Sequence, residues 1–254
     1  MSKAIAIITG ATGGIGREFV KLMLGEQVDE IWAIARNPQK LSALKNEYGE
    51  RIIPISKDLT NFEELRKLGY QLDEEKPDVA YLINNAGIAK LGTYQAFSPE
   101  EVDAAIRINC GAMAILCTLC LPHMKQGARI LNISSASSFQ PLPYLNLYSA
   151  TKAFERYYSR ALQVELRGTG ITATAVCPSW VDTELLMKEI NGKKVRFDGM
   201  VTAERMAKTA LRDAKKGRAM SVCSGYVKWL HVLSKVSASS VLMDIWMRKI
   251  KKYT

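Results

Sequence analysis

Residues 4–16 read Ala4-Ile-Ala-Ile-Ile-Thr9-Gly10-Ala-Thr12-Gly13-Gly14-Ile15-Gly16. The run Ala4–Thr9 has the length and β-branched content of a buried strand, and the glycines after it precede a helix expected from about Gly16 to Leu24. Glycine in such a turn permits tight backbone geometry and lets a pyrophosphate approach without a Cβ in the way. The helix that follows offers unpaired N–H groups and the positive end of its dipole. A dinucleotide is the natural ligand of this arrangement. The plainer alternative is a close strand–helix junction with no ligand, and the strand–turn–helix placement argues against it.

The same alternation runs along the chain. Further strands are expected at Ile31–Ala35, Arg51–Ser56, Val79–Asn84, Arg129–Ile133 and Ile171–Cys177, with helix-length segments between them. Ser98-Pro-Glu-Glu101 combines an N-cap, a proline at the first helical position and a capping-box glutamate. Thr60-Asn-Phe-Glu63 repeats the box, and Thr202-Ala-Glu-Arg205 opens another helix. Strands apolar on both faces, alternating with helices, predict an α/β fold: one doubly wound, mainly parallel sheet with helices on both faces and a C-terminal helical extension. No internal repeat of solenoid length is visible.

The chain has 254 residues, 48% hydrophobic and 24% charged. That suits a single domain over residues 1–254 and excludes disordered, collagen-like and coiled-coil classes. Ala4–Ile8 after a single Lys3 is no secretory signal, so a cytoplasmic location is expected. Cys110, Cys117, Cys120, Cys177 and Cys223 are expected to be free thiols in a reducing compartment. The uncharged segments Ile108–Pro122 and Gly168–Val181 fall short of the roughly 18 residues of a membrane span. Ile130–Thr151 is longer but too rich in polar side chains and proline.

Net charge is +10, and residues 225–254 supply half of it, with Lys228, Lys235, Arg248, Lys249, Lys251 and Lys252 set against Asp244 alone. This tail interleaves those charges with Trp229, Leu230, Leu233, Val241, Leu242, Ile245, Trp246 and Ile250. Such a stretch either caps the domain, packs on a second subunit or lies on an anionic membrane surface, and packing on protein is the expected outcome.

At the end of the second strand, where a dinucleotide site places a carboxylate on the adenosine ribose, the chain has Arg36. A guanidinium pairs with a 2′-phosphate instead, so NADP(H) is expected ahead of NAD(H). A surface arginine facing solvent is the competing reading.

Four motifs now stand in order: Thr9–Gly16, Asn84-Asn85-Ala86-Gly87, the strand end Asn132-Ile-Ser-Ser135, and Tyr148-Ser-Ala-Thr-Lys152. Together they resemble the short-chain dehydrogenase/reductase family over about residues 3–183. The resemblance implies a Rossmann-type domain that interconverts carbonyls and alcohols with a nicotinamide cofactor. It implies a catalytic set of Asn109, Ser135, Tyr148 and Lys152. It also implies cofactor contacts at Thr9, Gly10, Thr12, Gly13, Gly14, Ile15, Gly16, Asp58, Leu59, Asn85, Ala86, Gly87, Val181 and Thr183, beside Tyr148 and Lys152.

Chemistry supports the central pair. Tyr148 and Lys152 stand four residues apart and project from one helix face. A free phenol ionises near pH 10, whereas a neighbouring ammonium favours the phenolate, so the tyrosine can exchange a proton with substrate. Ser135 would hydrogen-bond the substrate oxygen; Ser134 faces the other way, because successive strand residues alternate. Asn109 resembles a residue that supports the lysine through a water.

Two departures from the family pattern matter. Gly13 stands where many relatives that use NADP have a basic residue, leaving Arg36, with help from Arg17, to hold the phosphate. Pro178-Ser179-Trp180 replaces the usual Pro-Gly and reshapes the nicotinamide end. Residues 180–200 are expected to cover the site as a lid. Their apolar residues with Lys188, Lys193, Lys194 and Arg196 suit a largely hydrophobic substrate, steroid-like or acyl-type, that carries an anion, although a solvated surface is the usual fate of such lysines.

Cys117, Cys120 and His123 lie on one uncharged helical pattern without a fourth ligand, so no metal is expected. With only two histidines and neither a Gly-x-Ser-x-Gly elbow nor a His-Glu-x-x-His pair, hydrolysis is improbable. The expected partners are a small-molecule substrate and further copies of the chain, not nucleic acid. Two function classes remain: an oxidoreductase, or a dinucleotide-binding sensor or scaffold that uses its tail for partners. The complete Asn109, Ser135, Tyr148 and Lys152 set favours the enzyme.

Overall fold

In the computed structural model, residues 2–251 are described except 184, 185, 187, 188, 191, 192 and 196. Six of the sheet strands are β1 (Ala4–Thr9), β2 (Glu30–Ala35), β3 (Ile52–Ser56), β4 (Asp78–Asn84), β5 (Arg129–Ile133) and β6 (Thr172–Val176). All pair in parallel in the order β6-β5-β4-β1-β2-β3, and the short strand Met220–Ser221 joins the β6 edge. That edge strand has no counterpart in the sequence reading. Two residues flanked by Gly217 and Ser224 leave no periodic signal.

Strand β1 shows why two layers of helix are needed. Ile5 and Ile7 face one side with Trp32, Ile34 and Leu82, and there meet Leu65, Leu68 and Leu72 of α3 (Phe62–Glu75) and Leu116 and Cys117 of α5 (Met113–Cys120). Ala6 and Ile8 face the other side and meet Phe19, Val20 and Met23 of α1 (Gly14–Leu24) and Met206, Ala207 and Ala210 of α7 (Ala203–Lys215). Each fully buried Ile or Leu contributes about 1.5–3 kcal/mol of transfer free energy. Strand β3 carries Pro54, which lacks a ladder donor; its place at the sheet edge tolerates this.

Helix caps follow local chemistry. Ser98 and Glu101 form the expected capping box at α4 (Pro99–Ile106), and Thr202 caps α7 by accepting from Arg205 N. At α3 the expectation is corrected: Asn61, not Thr60, is the N-cap and accepts from Glu63 N. Thr60 is instead held by Asp58, whose carboxylate accepts from its N–H at 3.0 Å and its hydroxyl at 2.8 Å.

The helical run Pro99–His123 is long and apolar enough to cross a membrane by length and composition. In the fold its buried residues, Ala105, Asn109, Ala112, Met113, Leu116, Cys117 and Cys120, pack inside the domain. The C-terminal segment forms α8 (Gly225–Val236) and α9 (Ser239–Ile250). Val227, Leu242 and Ile250 are buried, Trp246 Nε1 donates to Pro143 O at 2.7 Å, and His231 meets the Phe139 ring at 4.5 Å. Trp229, Val232, Val236, Val241 and Ile245 remain exposed, so the tail is both a cap on the domain and an outward apolar face. Lys252 and Tyr253 lie outside the described residues.

Candidate active site

The strand order reverses direction between β1 and β4, and the crevice at their C-terminal ends is where open α/β sheets bind ligands. Thr9 closes β1 with a buried hydroxyl that accepts from the backbone N–H groups of Asn85 and Ala86, each at 2.9 Å. Asn85 Nδ2 donates back to the carbonyls of Thr9 at 3.1 Å and Gly10 at 3.2 Å. These four bonds staple the segment after β4 to the glycine turn. Gly10 has φ +63°, and a Cβ there would fall 2.9 Å from Asn85 Nδ2.

Gly13 is the N-cap of α1 and carries no side-chain cap; a Cβ on it would meet only Gly10 O, at 3.6 Å. An uncapped helix end beside open glycine leaves amide donors for phosphate oxygens, so the turn fits a dinucleotide diphosphate. Thr12 and Ile15 flank it half-buried. Thr183 comes over the turn, its methyl 3.0 Å from where a Gly14 Cβ would sit, and Val181 is buried in a parallel bridge with Val201.

Arg36 stands exposed just beyond β2. The Asp58 carboxyl is held below its ordinary value, first by the Thr60 backbone N–H and hydroxyl and then by the charge of Arg36. Leu59 is buried. Arg17, expected to help Arg36 hold the phosphate, pairs with Glu47 and lies 5.6 Å from the Tyr48 ring centre.

Ser134 and Ser135 diverge as alternation requires. Ser134 is buried and donates to Lys152 O at 2.7 Å; Ser135 is half-buried and accepts from Ser137 N at 3.1 Å, which leaves its own proton to donate. The helix between α4 and α5 widens into a π turn, Arg107–Ala112, that carries Asn109. Asn109 is buried, donates to Ile88 O and Thr151 Oγ1 at 3.0 Å each, and accepts from Ile88 N at 2.9 Å. A Cβ on Gly87 would meet Asn109 Oδ1 at 3.0 Å and Lys152 Nζ at 3.4 Å, so the two side chains flank this glycine.

Tyr148 and Lys152 rise from α6 (Asn146–Glu165), with Lys152 Nζ 5.6 Å from the Tyr148 ring centre. Lys152 is buried and donates to Ile133 O at 2.8 Å and to Glu155 Oε1 and Oε2 at 2.8 and 3.0 Å. Burial disfavours its ammonium, but the charges of Glu155 and Tyr148 outweigh that and raise its pKa. Burial likewise pushes the Glu155 carboxyl up, to about 7, against the pull of Lys152.

Residues 4–194 match the family model for short chain dehydrogenase. The chain belongs to this family. It is 34% identical over 192 residues to a very-long-chain 3-oxoacyl-CoA reductase of Anas platyrhynchos, over 72% of this chain and 61% of that one. It is 33% identical over 181 residues to an NADP-dependent 3-hydroxy acid dehydrogenase of Salmonella typhi, over 70% of this chain and 72% of that one. The match with the Anas reductase thus spans less than two thirds of that protein's length. A short-chain dehydrogenase from Sphingobium yanoikuyae in complex with NADPH has a TM-score of 0.78 at 26% identity, covering 95% of both chains. One from Burkholderia phymatum in complex with NAD shares the fold at 19% identity, with a TM-score of 0.77 over 91% of this chain and 92% of that one.

This short-chain dehydrogenase is therefore an oxidoreductase dependent on a nicotinamide dinucleotide, NAD or NADP. Of the residues expected to serve it, the glycine turn, Asn85, Ala86, Gly87, Asn109 and Lys152 are joined by direct contacts, and Arg36 and Asp58 stand together at the end of the β2–β3 edge. In the expected lid, Trp180 meets Phe197 at 5.1 Å and Ser179 Oγ donates to Asp198 O at 3.2 Å. Lys188 and Arg196 lie outside the described residues. Sequence reasoning missed Thr151 and Glu155, both of which touch expected site residues. The signal was available for Glu155: it lies three residues after Lys152, on the same helix face.

Proposed function

We propose that the protein is an NADPH-dependent reductase that interconverts a ketone and a secondary alcohol on a largely hydrophobic substrate, acyl-type or steroid-like. The observation that carries this reading is the Tyr148–Lys152 pair on α6, with the ammonium 5.6 Å from the phenol ring. Backbone amides of Gly14 and Ile15 would hold the diphosphate, the Gly13 amide being taken by Gly10 O at 3.1 Å, and Arg36 would hold the 2′-phosphate. Asp58 and Leu59 would lie near the adenine, Asn85 near the ribose, and Val181 and Thr183 near the carboxamide. When bound, the nicotinamide supplies the hydride.

The chain's own residues do the rest. Ser135 donates to the substrate oxygen and orients the carbonyl. Tyr148 gives that oxygen its phenolic proton, and Lys152 favours the phenolate left behind. Asn109 fixes the π turn against Thr151, so the wall around Lys152 stays in register. The NADP preference is supported by Arg36 where a carboxylate would otherwise sit and by the NADP-dependent Salmonella relative. An acyl substrate is supported by the 3-oxoacyl-CoA and 3-hydroxy acid names of the two relatives. The reading places the enzyme in the cytoplasm as a homo-oligomer; exposed Phe154, Tyr157 and Val164 on α6 offer apolar surface to a second copy.

A panel of ketones, acyl derivatives and steroids, followed by loss of NADPH absorbance, tests this. Reduction of hydrophobic members is expected, with Arg36→Asp shifting preference toward NADH. Activity confined to small hydrophilic sugars, or an unaltered preference in Arg36→Asp, would contradict it.

A further inference from the structure

One face of α6 carries Tyr148, Lys152, Glu155 and Ser159 at helical spacing, and the last three are buried, with Glu155 only 3% exposed. An apolar stripe is the ordinary content of such a face. A carboxylate buried this deeply is costly unless paired, and both Glu155 oxygens are spent on one partner, Lys152 Nζ. With Ile133 O as third acceptor, the lysine's donors are directed to the end of β5 and to Glu155.

Among the described residues, few groups face Glu155. Lys152 and, beyond it, Tyr148 come from its own helix; Cys110 comes from the π turn and Cys177 from the end of β6. Burial raises the two thiols to about 11 and about 12, so they stay neutral across the working range. Lys152 is the cation that Glu155 answers to. Arg156, the next residue, points elsewhere: it donates to Ser138 O and lies over the Phe139 and Tyr157 rings.

We infer that Glu155 is a positioning residue that clamps Lys152 and, by opposing the ammonium's charge, sets the pH at which the Tyr148 phenol releases its proton. The inference deepens the reductase reading and rests on it for its kinetic consequence. The sign is fixed by electrostatics. An unopposed ammonium favours phenolate; a carboxylate paired with that ammonium weakens its field and keeps the phenol protonated. Burial pushes the Glu155 carboxyl above its ordinary range while Lys152 pulls it back; when charged, it offsets the ammonium that would otherwise draw the proton off the phenol, and the phenol is the acid that reduction of a carbonyl consumes.

The test is an ultraviolet titration of tyrosinate in the cofactor-free protein, with Tyr148→Phe as the reference that isolates this ring. Glu155→Gln, measured against Glu155→Gln with Tyr148→Phe, should move the Tyr148 midpoint down by about one pH unit. The alkaline fall of ketone reduction should move down with it, and alcohol oxidation near neutral pH should rise. Glu155→Asp, with a shorter carboxylate, should show a smaller shift in the same direction and carries the test if the glutamine variant does not fold. An unmoved midpoint in a folded variant, or lower rates with an unchanged pH profile, would overturn the proposal. Absence of turnover with every carbonyl would count against the reductase reading, while the absorbance titration would still decide the role of Glu155.

Discussion

A Cβ built on Gly16 would lie 2.1 Å from the carbonyl oxygen of Gly10. The first turn of α1 therefore rests directly on the backbone of the turn that precedes it, and no flexible side chain is there to give way. Gly16→Ala should push α1 off the turn, cost about 1–3 kcal/mol of stability as overpacking does, and weaken NADPH binding by an order of magnitude or more. Denaturant midpoints and fluorescence titration with NADPH read the two effects. Native-like stability together with native-like affinity would show that the contact does not set the cradle.

Much of this was legible in the sequence. Ala4–Thr9 and Ile31–Ala35 alternate with strong helical patterns, and burial on both faces of the sheet leaves a nearly continuous apolar run at each strand. The site residues were legible where local spacing determines geometry, as with Tyr148 and Lys152 on one helix. What could not be read depends on long-range placement. That Arg17 would pair with Glu47 requires knowing that the end of α2 (Pro38–Tyr48) comes back to the first turn of α1. That Asn109 would reach Thr151 requires the π turn, whose extra residue leaves no mark on a 3.6-residue pattern. Glu155 is different: its spacing from Lys152 is visible in the sequence, but a glutamate on a helix is usually solvated, and the packing of α6 shows that this one is buried.

The thiols offer a check on the packing. Burial pushes Cys117 and Cys177 up to about 12 and Cys110 to about 11, raises Cys120 further, and raises Cys223 as well. A raised thiol pKa means less thiolate at any given pH, and thiolate is the reactive form. At pH 8 the native protein should alkylate slowly at all five positions and rapidly once denatured, with half-buried Cys110 and Cys223 the first to react. Fast native labelling of Cys117 or Cys177 would show that α5 or the end of β6 opens.

Trp246 ties α9 to the segment just ahead of α6 through its 2.7 Å bond to Pro143 O. Trp246→Phe keeps an aromatic ring but orphans that carbonyl, at a cost of about 1 kcal/mol. Limited proteolysis should then cut between α8 and α9 sooner, and the denaturant midpoint should fall. If both stay at wild-type values, α9 is held by its apolar contacts alone.

The account turns on the phenol of Tyr148, and Tyr148→Phe tests it with the loss of a single oxygen. Turnover of the best ketone substrate and NADPH affinity should be measured on the same preparation. The account predicts a fall in kcat of a thousandfold or more, on the order that a lost general acid imposes, with NADPH affinity nearly intact. Turnover close to wild type in a folded variant would contradict it and return the chain to the alternative of a dinucleotide-binding protein whose chemistry lies elsewhere.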